Sequence, residues 1–117
     1  MTKNEIPDRR RGVERRTAKR YSVTIDIEWE RGPDRYAGTV SDISLNGCFV
    51  LGGEEVNDGQ SVTLFLPMGE GMKVQYAGTI SNHVAEIGFA IRFTSLSDAQ
   101  RSVLANFLSG EEESVRS

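Results

Sequence analysis

Between positions 22 and 93 the chain is a succession of short strand-like segments, most of them alternating apolar and polar residues with a period of two, separated by turn-forming residues. Val23, Ile25, Ile27 and Trp29 interleave with Thr24, Asp26 and Glu28. Successive side chains of a strand point to opposite faces, so this pattern specifies a strand with one buried face. "RGPDR" (31–35) supplies a turn, and a second strand runs from Tyr36 to about Asp42, where "SLNG" bends the chain. "CFVL" (48–51) is a short apolar strand closed by Gly52 and Gly53, and "SVTLFL" (61–66) puts Val62, Leu64 and Leu66 on one face. "MKVQYAGTISNHV" (72–84) places Met72, Val74, Tyr76, Ile80 and Val84 on one side, and "EIGFAIRF" (86–93) groups Ile87, Phe89, Ile91 and Phe93. Trp29, Phe49 and Phe93 read as core aromatics. That is about six short strands with no helix between them. The fold class is therefore mainly β, an antiparallel sheet curled or closed into a six-stranded barrel, since closure removes the open edges that invite aggregation.

After position 96 the period changes. Ser97 with Gln100 three residues on forms a capping box, and Val103, Leu104, Phe107 and Leu108 recur at helical spacing. The spacing predicts a helix with an apolar stripe packed on the barrel's exterior or across one end, stopped at Gly110. The chain divides into a flexible basic N-terminal arm (1–14), the barrel with its helix (15–109) and an acidic disordered tail (110–117).

Charge is distributed unevenly. Residues 1–20 hold eight Lys and Arg against three acids, so a net charge of −3 conceals a basic start on an acidic body. Such a start suits phosphate or an acidic surface, or is simply solvated. The single cysteine, Cys48, cannot form an internal disulfide, which fits a reducing, cytoplasmic setting. The charged first twenty residues do not read as a leader, and no apolar run approaches the roughly 20 residues needed to cross a bilayer.

Catalytic patterns are scarce. One histidine, His83, sits on the polar side of its strand, and no metal-ligand spacing, phosphate loop or nucleophile elbow occurs. Asp42 and Ser44 have no histidine placed by sequence to complete a triad, so the chain reads as a non-enzyme.

Two constellations remain. Arg16 and Arg20 are spaced R-x-x-x-R, with Arg15 directly before them. Guanidinium groups fork toward phosphate oxygens, stack under bases and match the O6/N7 edge of guanine. In "DISLNG" (42–47), Asp42 and Ser44 are two apart, so both side chains can face one way, and Gly47 suits a turn with positive φ. A carboxylate and a hydroxyl there can read a guanine edge, or they can satisfy nearby backbone N–H groups as an ordinary turn does.

In this order, "RTAKR" (16–20) and then "DISLNG" (42–47) resemble the paired R-x-x-x-R and (D/N)-x-S-x-x-G signature of PilZ domains. "IGFAIRF" followed by "LSDAQRSVLANFL" is similar to that family's last strand and closing helix. The resemblance implies a bacterial receptor for cyclic di-GMP. Arg16 and Arg20 would contact phosphate and guanine, Asp42 and Ser44 would hydrogen-bond guanine, and Gly47 would shape the turn. Arg15 accompanies binding of two stacked ligand molecules in this family, so one or two molecules per chain are expected. No other cofactor and no metal is implied. The arginine arm would order on the ligand and change a surface read by an unidentified protein partner. Two alternatives keep the barrel: a protein-interaction adaptor that binds no nucleotide, and a single-stranded nucleic-acid binder. The latter needs exposed aromatics beside the arginines, and the acidic body opposes it, so no nucleic acid is expected as a partner.

Overall fold

The computed structural model describes residues 19–69 and 71–116, the last six of these by backbone alone. The basic arm (1–14), Arg15 and Arg16 lie outside the described residues. Six strands follow in order: β1 (Tyr21–Arg31), β2 (Asp34–Ile43), β3 (Gly47–Leu51), β4 (Ser61–Pro67), β5 (Lys73–Val84) and β6 (Gly88–Phe93). One helix, α1 (Asp98–Arg116), comes after them. The sheet closes on itself in the order β1-β2-β3-β6-β5-β4, and every neighbouring pair is antiparallel. The expected six-stranded barrel is the observed fold.

Local chemistry accounts for the connections. β1 and β2 meet through Gly32 and Pro33 alone, with Gly32 at φ 60° and Pro33 confined to negative φ. That sign pattern belongs to a two-residue hairpin turn whose twist matches the strands. Ser97 and Gln100 form the predicted capping box: the Gln100 N–H donates to Ser97 Oγ (3.0 Å) and the Ser97 N–H to Gln100 Oε1 (2.9 Å).

Inward residues of the alternating strands fill the barrel. Trp29, Tyr76, Phe89, Leu64, Leu66 and Ile80 are fully buried, each stabilising the fold by roughly 1.5–3 kcal/mol for its removal from water. The Trp29 ring lies 4.6 Å from Tyr36 and 4.9 Å, edge-on, from Phe89. Leu104 and Leu108 of α1 join the same cluster. At one side the helix is held to β5, where Tyr76 donates its hydroxyl to the Gln100 carbonyl (3.3 Å) and Gln100 Nε2 donates to the Gln75 carbonyl (2.8 Å). Farther along, Ala105 and Leu108 lie beside Tyr21 and Leu45.

Several expectations are corrected. The helix does not stop at Gly110 but continues to Arg116, where an acidic tail was expected. Gly110 is not in the left-handed conformation that ends helices, and a glycine inside a helix costs only about 1 kcal/mol. Met72, Val84 and Ile87, read as inward-facing, are exposed. Met72 belongs to the β4–β5 turn, where it exchanges backbone hydrogen bonds with Met68 and Gly69. A register shift between Ile80 and Asn82 breaks the phase that would have buried Val84. Ile87 falls in the β5–β6 turn. Phe49 is half-buried on the barrel's outer face, whereas Trp29 and Phe93 are core as expected.

Candidate functional site

Arg20 is the last residue before β1, and Asp42 lies across from Ser22 near the end of β2. The Arg20 guanidinium donates through Nη1 to Asp42 Oδ1 at 2.7 Å. Register shifts flank this end of the barrel: between Ser22 and Ile25 on the β1–β2 side, between Val40 and Asp42 on the β2–β3 side, and between Ile80 and Asn82 on the β5–β6 side. An extra residue in one strand bends the ladder and re-aims side chains, and barrel rims beside binding sites are where such shifts concentrate.

The 44–47 turn is built inward. Ser44 is 4% exposed. Its N–H donates to the Gly47 carbonyl at 2.8 Å, and its hydroxyl oxygen accepts the Asn46 N–H at 3.0 Å. The Asn46 carbonyl in turn accepts the Phe93 N–H at 2.8 Å, tying the turn to β6. Ser44 thus serves as the turn-former that its sequence also allowed. Gly47 is present for a reason other than the one expected. Its φ is not positive. Instead β6 passes so close that a Cβ at position 47 would collide with the Ile91 carbonyl and stand 3.2 Å from Arg92 Cα. A close backbone approach demands glycine here.

Between this turn and the outer face of β6 and β5 lies a groove of about 680 Å³, lined by Arg20, Ser44, Asn46, Gly47, Ser81 and Arg92 among others. That volume falls within the range of small-molecule sites. Among the described residues the Arg92 side chain makes no hydrogen bond or ion pair, so an exposed guanidinium faces the groove without a partner. The arrangement offers cationic forks, hydroxyls and amide groups to an anionic ligand with hydrogen-bonding edges.

Of the sequence-predicted residues, Arg20, Ser44 and Gly47 line one groove, and Asp42 holds Arg20 at its edge. Arg15 and Arg16 lie outside the described residues. Asn46, Ser81 and Arg92 were not singled out from the sequence. For Arg92 a signal existed: it is the one charged residue in the otherwise apolar "GFAIRF", in the outward phase between Ile91 and Phe93.

Cys48 also borders the groove, yet it is buried. Burial, reinforced by the Asp42 carboxylate and only partly offset by Arg20, pushes its thiol up to about 12. It therefore stays protonated and is a poor nucleophile. His83 pairs with Asp58 (Nδ1 to Oδ1, 3.1 Å) and does not line the groove. No cluster of three or more potential metal ligands occurs among the described residues, and no described helix is long and apolar enough to cross a membrane.

Comparison with known proteins identifies the family and the fold. A family model for the PilZ domain matches residues 14–110. Among solved structures, the chain is similar to the PilZ domain of YcgR from Escherichia coli with c-di-GMP (TM-score 0.74, 15% identity, 87% of this chain and 95% of that one). It is also similar to the PilZ domain of CeSA from a cellulose-synthesizing bacterium (TM-score 0.66, 19% identity, 81% and 99%). A third is the MrkH–c-di-GMP complex of K. pneumonia (TM-score 0.69, 14% identity), where 86% of this chain covers 53% of that one. No curated protein matches the chain. At these identities the likeness to solved structures is one of fold.

Proposed function

The chain belongs to the PilZ domain family, and from that premise we propose that it is a non-catalytic receptor for cyclic di-GMP whose output is a changed surface. The observation that carries this reading is the meeting of Arg20 and Asp42 at a groove lined by Ser44, Gly47 and Arg92. The ligand brings two negative charges and two guanines. Arg20 turns from Asp42 to phosphate and guanine, and the freed Asp42 carboxylate accepts the N–H donors of a guanine edge. The exchange is inexpensive, since an exposed ion pair contributes only about 0–1 kcal/mol. Arginine–phosphate contacts are charge-assisted and often two-pronged, which makes them stronger. Arg16 supplies the second guanidinium of the R-x-x-x-R pair, and Arg15 supports a second, stacked ligand molecule. Binding fixes the basic arm against the barrel, at an entropic cost that lowers affinity but creates a new surface for a protein partner.

Calorimetric titration with cyclic di-GMP, with GTP as control, tests this. Saturable binding that weakens with salt is expected, near two ligands per chain if Arg15 acts as proposed and near one if it does not. The adaptor reading has one observation in its favour, because Arg20 and Ser44 are already satisfied within the protein. Absence of binding to the folded chain decides for it.

A further inference from the structure

The outer face of β3, β6 and β5 does not end at the groove. From the Gly47–Arg92 row it continues through Phe49, Ala90 and Asn82 to a last row of Leu51, Gly88 and Val84. Leu51 is 41% exposed and Val84 42%, and Ile87, in the adjoining turn, is 55% exposed. Gly88 has no side chain to separate its neighbours, and the Phe49 ring lies close above it. Three of the four large apolar side chains exposed among the described residues thus gather at one end of one face.

That end is also acidic. Glu54, Glu55 and Glu86 line an adjoining hollow of about 430 Å³ together with Val84 and His83. None of the three glutamate side chains has an ion pair among the described residues. His83 is engaged by Asp58, and Arg31 reaches only the Glu55 carbonyl while also donating to Tyr36. Glu86 adopts φ 67°, a left-handed conformation that favours glycine or asparagine. A glutamate kept there, beside an exposed isoleucine, presents charge and apolar surface at the tip of the β5–β6 hairpin.

We propose that this face is a docking surface for a protein segment that carries an apolar anchor next to two or three Lys or Arg residues. The aliphatic row takes the anchor, and the three glutamates select the charge. A second copy of the same face would set carboxylate against carboxylate, so the occupant is basic.

The test uses the full chain and three labelled peptides of about a dozen residues, built from Lys and Leu, from Lys and Ser, and from Glu and Leu. Amide NMR shifts map the footprint, and fluorescence anisotropy reads the affinity. The Lys–Leu peptide is expected to bind, shifting amides of residues 51–55 and 84–88. Ile87→Ser weakens it about tenfold, as loss of a central apolar contact does, and Glu86→Gln about two- to fivefold, as loss of one exposed charge does. Ile87 and Glu86 are exposed, so both variants keep the fold. Equal binding of the Lys–Ser peptide, unchanged affinity of both variants, or a footprint elsewhere overturns the proposal. So does coverage of the face by the chain's own basic start. A spin label at Arg10→Cys would then broaden the amides of Leu51, Val84 and Ile87 in the free protein, with buried Cys48 left unlabelled.

Discussion

The site has a floor and a rim, and the two halves of it obey different physics. Ser44 and Gly47 form the floor: one is 4% exposed and bonded into its own turn, the other pressed against the backbone of β6. Arg20 and Asp42 form the rim, their side chains 66% and 33% exposed. Floor residues are fixed by the fold and cannot change without disturbing it. Rim side chains pair with one another across an exposed edge and are felt by the floor only through their charges on Cys48, so the barrel depends on them far less. A motif that reads as one unit in sequence therefore joins a buried scaffold to an exposed ion pair, the part for which we propose ligand reading.

The sharpest way to break the comparison is at Gly47. Gly47→Ala forces a Cβ into the Ile91 carbonyl and against Arg92, where only backbone is available to yield. We expect a loss of ~3 kcal/mol or more, at the upper end of overpacking costs. Urea unfolding at neutral pH measures it, and a midpoint within error of the wild type would show that the floor is not rigid. Ser44→Ala comes next. It removes the acceptor of the Asn46 N–H in a buried turn, which costs about 1–2 kcal/mol. Thermal unfolding should reveal the drop even with no ligand present.

Cys48 lies behind the same floor and gives it a pH signature. Its thiol ionises in the unfolded chain near its ordinary value of 9.0, whereas in the folded chain it is held up to about 12. The neutral thiol's contribution is thus intact below pH 9 and is lost as the pH rises from 9 toward 12. At pH 10 the loss amounts to about 1 kcal/mol. Tyr76, also raised by burial, adds to any alkaline loss at higher pH. The informative quantity is consequently the difference between wild type and Cys48→Ala across pH 8–10. A slope shared by both proteins would mean that the thiol is not sealed from water.

The division between floor and rim also marks what the sequence could convey. Alternation disclosed most of the strands, an apolar run between turn-forming residues disclosed β3, and the Ser97–Gln100 capping box announced the helix. Arg20 and the 42–47 segment were brought together in sequence only by the family resemblance; their contact follows from the β1–β2 hairpin, which sets Ser22 opposite Asp42. Register was not legible. The shift between Ile80 and Asn82 turned Val84 outward, and the pairing of β3 with β6 brought Arg92 beside Gly47; neither follows from a period of two. Gly47 was expected to be conformational and proved to be a matter of clearance, since close approach depends on a strand more than 40 positions away. The continuation of α1 through Gly110 has a similar origin, because a glycine halts a helix only when the chain there turns left-handed.

The smallest effect on stability is expected at the rim, and it carries the most information about function. Arg20→Ala and Asp42→Ala each remove one exposed ion pair, worth about 0–1 kcal/mol. Their unfolding midpoints should lie close to the wild type and closer to it at high salt, where an exposed pair is screened. If the rim reads cyclic di-GMP, the same two substitutions abolish or severely weaken its binding in calorimetry while the barrel stays intact. The double variant should be no less stable than the sum of the singles, because each single variant removes the same ion pair and the double removes it only once. Loss of binding without loss of stability at the rim, set against loss of stability at the floor, would separate reader from scaffold. Retained binding in both rim variants would leave the scaffold and remove the reader. A rim variant that unfolds would instead show that the Arg20–Asp42 pair closes the barrel, and that its place is in the floor.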